Sequence, residues 1–266
     1  MASNLYSLVH IEGFGITMTD KALIVTPTGC PLFFDNEYNH ARHWRFALPE
    51  RTYETVVVGF KDEYIPEANS FDTFHKYPIK YKWKQTPKML DDLGIKWYNY
   101  DFIGIWDDDY CTDIPSVNRA LELARTYDFP FFQQSLTSWT VYPCLVQNKE
   151  HTFTRTNFTE MGVCFYRNDI FRKVLRLLSL YQYRESEWGI DKIMADYLGL
   201  PAYVVHETSI KHMRRESWYD KTNAFNEMNY LTNEWFPNYM KNVRGNSHYI
   251  FRDVQHTLAT YKEERK

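Results

Sequence analysis

Short apolar segments alternate with amphipathic segments along most of this chain, and this alternation constrains the fold more than any other feature. The apolar segments are four to eight residues long and rich in β-branched or aromatic residues, a pattern typical of buried strands. They are Lys21–Thr26, Tyr53–Phe60, Tyr100–Trp106, Phe129–Gln133, Gly162–Tyr166 and Ala202–Val205. The turn signal Pro27-Thr28-Gly29 is expected to end the first of these strands.

Three helices are predicted between these strands. The segment Pro115–Tyr127 carries an apolar stripe, with its proline in the first turn. A second helix follows Asn168 or Asp169 as its N-cap, and a third follows Ser186 as its N-cap and stops at Gly199. Strands that alternate with helices predict one α/β domain, in which helices cover both faces of a mostly parallel mixed sheet. Ligands of such sheets bind beyond the carboxyl ends of the strands.

The last fifth of the chain departs from this pattern. From about Trp218 onward it is rich in Asn, Tyr and Trp, and a turn is predicted at Trp235-Phe236-Pro237. We therefore expect a main domain over residues 1–217 and a C-terminal extension, residues 218–266, packed on it. No stretch approaches the roughly 18 apolar residues that a membrane span requires. Because Met1–Gly13 also lacks the basic start and apolar run of a signal peptide, a cytoplasmic location is expected.

Composition narrows the classes of function. The net charge of −3 gives no general field that would attract a polyanion. The four cysteines form no C-x-x-C pair, so a structural zinc site is not expected, and Cys164 lies in an apolar run that places it in the core. Aromatic residues make up 18% of the chain. Part of this surplus belongs to the core, but aromatic faces at a surface can also stack on sugars or bases.

Three consecutive aspartates follow directly on the strand that ends at Trp106. Adjacent carboxylates at the edge of a sheet repel one another, which raises their pKa or calls for a cation. In an extended segment Asp107 and Asp109 would share a face, with Asp108 pointing elsewhere. Two hard oxygen ligands, with open positions for phosphate and water, suit Mg²⁺ or Mn²⁺. Such a metal neutralises charge on a departing nucleoside diphosphate, although a solvated acidic turn is the simpler alternative.

Two further clusters follow downstream. Glu187 and Asp191 are four residues apart at a helix start, where they would share one helical face. A carboxylate there could take the proton from an attacking hydroxyl, or it could simply stabilise the helix dipole. Either His206 or His212 could complete a metal site. The basic residues on either side of His212, Lys211, Arg214 and Arg215, could contact a diphosphate or form a solvated face.

The order of these clusters resembles the layout of GT-A glycosyltransferases, with a nucleotide-binding strand, a D-x-D motif, an acid at a helix start and a late histidine. The stretch from Tyr98 to His212 also resembles a little-studied family of glycosyltransferase-like proteins from bacteria and plants. That family has a W-D-x-D, a Q-x-x-L strand, a W-G-x-D and a late V-x-H. The corresponding segments here are Trp106–Asp109, Gln133–Leu136, Trp188–Asp191 and Lys211-His212.

The resemblance implies roles for these residues. It implies a metal-dependent glycosyltransferase that uses a nucleotide sugar, with UDP as the expected nucleotide and Mn²⁺ or Mg²⁺ as the cation. The implied metal ligands are Asp107, Asp109 and His212, and the implied acid/base is Asp191 rather than Glu187. The implied contacts to the nucleotide-sugar donor are Thr26, Pro27, Thr28, Gly29, Asp107, Asp108 and Arg214.

A lysine-rich segment bears on the acceptor. The stretch from His75 to Lys88 contains five lysines, no acid and interleaved aromatics. Lysines can neutralise phosphates while aromatic rings stack on bases. DNA contacts are therefore expected at Lys76, Lys80, Lys82, Trp83 and Lys84.

The acceptor predicted from this segment is a 5-hydroxymethylpyrimidine in DNA, as in phage-type base modification, which would place the protein in the cytoplasm of a host. The target base would have to leave the stack. A saccharide or lipid-linked saccharide is the alternative acceptor, and a protein or a small molecule is a further one. A metal-dependent phosphohydrolase or nuclease, and a silent carbohydrate- or DNA-binding module, are the competing functions.

Overall fold

The computed structural model describes residues 21–29, 42–61, 71–138, 140, 142–181, 186–213, 221–246 and 257–261. The strands within these ranges are β1 (Ala22–Thr28), β2 (Tyr53–Gly59), β3 (Thr73–Lys76), β4 (Phe102–Ile105), β5 (Tyr110–Cys111), β6 (Phe131–Leu136), β7 (Phe153–Thr156), β8 (Phe165–Arg167), β9 (Ala202–His212) and β10 (Thr257–Tyr261). The α-helices are α1 (Lys82–Asp92), α2 (Ile114–Thr126), α3 (Asn168–Leu180), α4 (Ile190–Leu198), α5 (Lys221–Tyr230) and α6 (Phe236–Asn242).

One mixed sheet organises the molecule. Its strand order is β10-β7-β9-β6-β8-β4-β1-β2-β3, and β5 pairs with the far end of β9. The pairings β3-β2-β1-β4 and β6-β9 are parallel, whereas β5, β7 and β8 each pair antiparallel with their neighbours. Most strands in the described ranges therefore run in one direction, and the predicted mostly parallel α/β sheet is confirmed.

Helices cover both faces of this sheet, as predicted. In β1, Leu23 and Val25 belong to a core that includes α1, α3 and α4, whereas Ala22 and Ile24 belong to a core that includes α2. Because successive side chains of a strand point to opposite faces, β1 lies between two apolar layers and is buried along its whole length. This burial on both faces explains why its first four residues are all apolar rather than alternating with polar ones.

The first strand runs two residues further than predicted, through Pro27 to Thr28. Successive residues of β1 direct their backbone hydrogen bonds alternately to the strand on one side and the strand on the other. The Val25 carbonyl accepts from Trp106 N–H on the β4 side, and the Thr28 carbonyl accepts from Phe60 N–H on the β2 side. Pro27 therefore faces β4, whose pairing with β1 ends at Ile105. The missing N–H of proline costs no ladder hydrogen bond there, so the strand continues.

The helices begin as predicted in one case of three. Pro115 lies in the first turn of α2, and Asp113 caps that helix by accepting from Ser116 N–H at 2.7 Å. The cap predicted at Asn168 or Asp169 is wrong, because α3 includes both residues and the Asn168 amide instead donates to the carbonyl groups of Trp97 and Tyr100.

The N-cap predicted at Ser186 is also wrong. The helix α4 begins only after Gly189, whose φ of 94° is in the left-handed region, and the Ser186 hydroxyl donates to Glu227 at 2.8 Å. The predicted stop is correct, because Gly199 ends α4 with a φ of 66°, a conformation that glycine adopts without strain.

The C-terminal part is more regular than predicted. The turn expected at Trp235-Phe236-Pro237 is wrong: a π-helical segment, Leu231–Trp235, joins α5 directly to α6, and the proline lies in the first turn of α6. The strand β10 adds to the sheet beside β7. The proposed boundary between residues 217 and 218 lies outside the described residues. No helix in the described part of the chain is long and apolar enough to cross a membrane.

Candidate active site

The aspartate triplet lies where β4 ends, at the carboxyl edge of the parallel strands. Trp106 is fully buried and packs edge-on against Trp44 at 5.2 Å and Phe165 at 5.0 Å between ring centroids. This anchor fixes the point at which the chain leaves the sheet. The strand stops at Ile105 and the next residues turn. The expectation that Asp107 and Asp109 share one face of an extended segment is therefore wrong.

Asp107 points toward α1. Its carboxylate forms an ion pair with Lys82, the first residue of that helix, and its backbone N–H donates to the Gly162 carbonyl at 2.8 Å. A Cβ atom added at Gly162 would lie 2.2 Å from Oδ2 of Asp107. The absence of a side chain at this glycine therefore leaves the space that the Asp107 carboxylate occupies.

Asp108 points toward the end of β1. Its Oδ2 accepts a hydrogen bond from the Thr28 hydroxyl at 2.6 Å, which joins the carboxyl ends of two neighbouring parallel strands. Of the other predicted nucleotide contacts, Thr26 is buried within β1 and Gly29 follows the strand. Thr28 and Gly29 are thus at the edge of the sheet where ligands bind in such folds, and their contact with a nucleotide stays a prediction.

Asp109 contacts the late histidine. His212 Nε2 lies 3.3 Å from Oδ2 of Asp109, and the ring of Tyr110 stacks on that of His212 with centroids 4.6 Å apart. Burial lowers the pKa of His212, but the hydrogen bond and charge of Asp109, with the charges of Glu160 and Asp107, raise it above its usual value. The other oxygen of Asp109, Oδ1, is buried and has no hydrogen-bond partner among the described residues.

A register shift in the pairing of β9 with β6 precedes the part of β9 that contains His212. The pairing of β9 with β6 shifts register, so that Gln134 pairs with Val205 but the next residue pairs with Ser209. Beyond the shift, β9 continues past the edge of the sheet and pairs with β5, with His212 opposite Tyr110. His206 lies before the shift, where its ring nitrogens contact Asn148 N–H at 3.2 Å and the Thr154 hydroxyl at 3.1 Å. The structure thus places His212, and not His206, beside the aspartates.

The predicted metal ligands are only partly assembled. Asp109 and His212 are in contact, whereas Asp107 is paired with Lys82. Within the described ranges no three His, Cys, Asp or Glu side chains are gathered so that they could hold a metal ion by themselves. The metal role of the three residues stays a prediction, and it requires further ligands from the substrate.

Asp191 lies in the first turn of α4, where its Oδ1 accepts a hydrogen bond from Lys192 N–H at 2.9 Å. Burial raises the pKa of Asp191 to about 7, and the negative charge of Glu160 contributes to the rise. A carboxyl group with a pKa near neutral pH is suited to general base catalysis.

Glu187 lies apart from Asp191. It precedes α4 with a φ of 63°, so the prediction that the two acids share one helical face is wrong. Its carboxylate accepts hydrogen bonds from Trp83 N–H, at 2.8 Å, and from Lys84 N–H. Glu187 therefore caps the N-terminus of α1, and burial raises its pKa to about 7. A catalytic role for Glu187 stays a prediction.

A half-buried acid that the sequence did not single out, Glu160, adjoins these groups. Glu160 accepts a hydrogen bond from the Tyr110 hydroxyl at 2.7 Å, and its charge contributes to the pKa of both His212 and Asp191. Burial, together with the charges of Asp107 and Asp109, raises the pKa of Glu160. No sequence motif marks it, because it comes to the site through contacts between residues about 50 positions apart.

The lysine-rich segment forms β3 and the first turns of α1. The side chains of Lys76, Lys80 and Lys84 are exposed. Trp83 is buried in the core, so the prediction that its ring stacks on a base is wrong for this conformation. Lys82 is paired with Asp107 at the acidic edge instead of lying on the outer surface. Arg214 and Arg215 lie outside the described residues.

Comparison with known proteins gives a structural likeness alone. No protein-family model matches the chain, and no curated protein matches it. A crystal structure of S. aureus TarS 1–349 in complex with UDP-GlcNAc has a TM-score of 0.50 at 10% sequence identity, over 85% of this chain and 74% of that chain. The same fragment without ligand and with UDP gives TM-scores of 0.48 and 0.47, at 10% and 8% identity, over the same shares. The likeness confirms the α/β, Rossmann-like fold class.

Proposed function

We propose that this protein is a glycosyltransferase that takes its sugar from a nucleotide-diphosphate sugar, with UDP as the nucleotide. The observation that carries the proposal is the arrangement at one edge of the sheet. The aspartate triplet lies beside the end of β1. Asp191 is in the first turn of α4, and because α4 leads into the parallel strand β9, its first turn lies toward the same edge. The TarS structure that shares the fold holds UDP-GlcNAc, which supports a UDP-sugar donor here.

The acidic edge fits a divalent cation. Oδ1 of Asp109 is buried without a hydrogen-bond partner in the described part of the chain, an arrangement that a positive charge would stabilise. The oxygens of Asp107 and Asp109 are the ligands that Mg²⁺ and Mn²⁺ prefer, and His212 would be the third. When bound, the cation would neutralise charge on the diphosphate leaving group.

Asp191 is proposed as the base. It would take the proton from the acceptor hydroxyl as that oxygen forms a bond to the anomeric carbon and the bond from this carbon to the diphosphate breaks. The nucleoside diphosphate leaves with the electron pair, and the anomeric centre is inverted because attack and departure are on opposite sides. If the reaction instead retains the configuration, Asp191 would hold acceptor or sugar hydroxyls.

A thermal-shift panel of UDP-, GDP- and dTDP-sugars, with and without Mn²⁺, tests the donor and the metal together. Selective binding raises the melting temperature by mass action, and we expect the largest rise with a UDP-sugar and Mn²⁺. Asp109→Ala should remove the Mn²⁺-dependent part of the rise. Asp91→Ala, which changes an exposed aspartate of α1, is the matched control. A full Mn²⁺ effect in the Asp109 variant would overturn the metal assignment.

A phosphohydrolase or nuclease is less well supported. Two-metal sites of that kind need more acidic and histidine ligands, and the described residues contain no group of three such side chains placed to hold a metal. Incubation with a nucleotide sugar in the absence of an acceptor separates the two functions. Cleavage of phosphate esters irrespective of the sugar would favour the hydrolase.

For the acceptor we propose a 5-hydroxymethylpyrimidine in DNA. Lys76, Lys80 and Lys84 are exposed, and Lys80 and Lys84 flank the Tyr81 ring at 4.8 and 5.4 Å. They belong to the same segment as Lys82, whose side chain forms an ion pair with Asp107 at the acidic edge. A surface of this kind could track a phosphate backbone leading to the site.

Transfer of radiolabelled sugar to duplexes with and without 5-hydroxymethylcytosine tests this acceptor. We expect label only in the modified duplex, and weaker transfer at higher salt. The double variant Lys80→Glu/Lys84→Glu should reduce transfer, whereas Lys173→Glu, which changes an exposed lysine of α3, should not. Label in an oligosaccharide and in neither duplex would point to the saccharide acceptor.

A further inference from the structure

Glu160 lies on the segment between β7 and β8, and its backbone is hydrogen-bonded to the sheet. Its backbone N–H donates to the side-chain oxygen of Gln133 at 2.6 Å, and Gln133 is fully buried on β6. The residue that follows, Met161, begins a short 3-10 turn that includes Gly162, the glycine whose carbonyl accepts from Asp107 N–H. The backbone around Glu160 is thus tied both to the sheet and to the acidic edge.

The two carboxylate oxygens of Glu160 have different surroundings. Oε2 accepts from the Tyr110 hydroxyl at 2.7 Å, and the Tyr110 ring is itself stacked on His212. Oε1 makes no hydrogen bond to any residue in the described part of the chain, yet it is not among the fully enclosed polar atoms. One oxygen is therefore anchored by protein, and the other can accept a hydrogen bond from a ligand.

Glu160 lies close to both groups that the proposed reaction uses, the aspartates that face the diphosphate and the base Asp191. Tyr110 contacts both Glu160 and His212, and His212 contacts Asp109, so Glu160 adjoins the acidic edge. Its charge also contributes to the raised pKa of Asp191. In the proposed reaction the diphosphate lies at the aspartates and the attacking hydroxyl lies at Asp191. The transferred sugar must span the space between them, and Glu160 is the acid whose charge acts on both groups.

We propose that Glu160 recognises a hydroxyl group of the transferred sugar through Oε1, while Tyr110 holds Oε2. This inference rests on the proposed function and names the chemistry that selects the donor: a sugar with a free hydroxyl within reach of this carboxylate. A site built to pair with a hydroxyl discriminates strongly against an analogue that lacks it, because its buried polar group is then left without a partner.

Calorimetric titration with Mn²⁺ present tests the inference without any acceptor. The ligands are UDP, UDP-glucose, UDP-galactose, UDP-GlcNAc and the monodeoxy derivatives of whichever sugar nucleotide binds best. We expect Glu160→Gln to leave the dissociation constant of UDP within about twofold and to weaken the best sugar nucleotide by about 10- to 100-fold, the range for a hydrogen bond to a charged group. Tyr110→Phe, which keeps the ring and loses the hydroxyl, should give a smaller loss.

The deoxy derivatives identify the hydroxyl. One of them should bind the wild-type protein about 10- to 100-fold more weakly than the parent, and Glu160→Gln should show no further loss with that derivative. Equal losses for UDP and the sugar nucleotide, or a variant that still discriminates the deoxy derivative, would overturn the inference and leave the proposed function standing. A wild-type protein that binds neither UDP nor any UDP-sugar would overturn the proposed function and this inference together.

Discussion

At the scale of single residues, two carboxyl groups have the same shifted pKa for different structural reasons. Burial raises the pKa of Glu187 and of Asp191 to about 7. Both carboxylate oxygens of Glu187 accept hydrogen bonds from backbone N–H groups of α1. One oxygen of Asp191 accepts from the neighbouring Lys192 N–H, and the charge of Glu160 contributes to its raised pKa. Asp191, which has no such capping role among the described residues, is therefore the base in the proposed reaction.

The proposed role of Asp191 as the base predicts how transfer depends on pH. A base must be deprotonated to act, so kcat/KM should fall about tenfold per pH unit below pH 7 and level off above it. Asp191→Asn should abolish transfer at every pH. Because Glu187 titrates in the same range, Glu187→Gln is the informative control: the acidic limb should remain. A pH–rate profile that loses this limb in the Glu187 variant would assign the base to Glu187 instead.

Gly162 sets the position of Asp107. A methyl group there would lie 2.2 Å from Oδ2 of Asp107, so Gly162→Ala should displace the end of that side chain with little change in melting temperature. We expect Mn²⁺-dependent binding of the UDP-sugar to weaken by about 10- to 100-fold, measured by calorimetry. The effect should vanish in an Asp107→Ala background. An additional loss in that background would show that the methyl group acts elsewhere.

At the scale of secondary structure elements, α1 shows what the sequence could not reveal. Its buried residues Trp83, Thr86, Met89 and Leu90 have helical spacing. The interleaved lysines and Pro87 conceal that period, so the sequence alone favours a binding surface. The helix has no side-chain cap from its own N-cap residue, Tyr81. The cap comes from Glu187, more than 100 positions away, and local sequence patterns carry no signal of it.

Removal of this distant cap should destabilise the protein. Glu187→Ala leaves two N–H groups at the start of α1 without their acceptor, and we expect the free energy of unfolding to fall by about 1–2 kcal/mol. Urea denaturation followed by circular dichroism measures the change. Glu150→Ala, at an exposed turn, should stay within about 0.5 kcal/mol of the wild type. Equal stabilities of the two variants would contradict the capping role.

At the scale of the whole molecule, topology accounts for the part of the site that the sequence predicted. Motifs mark the aspartate triplet, Asp191 and His212 as candidate site residues, and the sheet brings the triplet and His212 to one edge. No motif links the triplet to two of its other partners. Lys82 and Thr28 reach it from 25 and 80 positions away, and such contacts depend on packing that no local period encodes.

A series of contacts also connects the C-terminal part to the acidic edge. Glu227 of α5 is buried and accepts hydrogen bonds from the Ser186 N–H and hydroxyl, both at 2.8 Å, and from Glu187 N–H at 3.1 Å. Glu187 in turn caps α1, whose first residue, Lys82, pairs with Asp107. Contact alone does not establish energetic coupling, but it defines the pair of residues on which coupling can be measured.

A double-mutant cycle on Glu227 and Glu187 measures that coupling. Each alanine substitution should destabilise the protein, but because Glu227 holds the backbone of Glu187 in the conformation that caps α1, removing both should cost less than the sum by at least about 0.5 kcal/mol. Asp113→Ala removes the cap of α2 on the opposite face of the sheet. Combined with Glu227→Ala it should be additive, because the two share no partner. Additivity in the Glu227–Glu187 cycle would mean that the C-terminal part supports the turn before α4 without influencing the capping of α1.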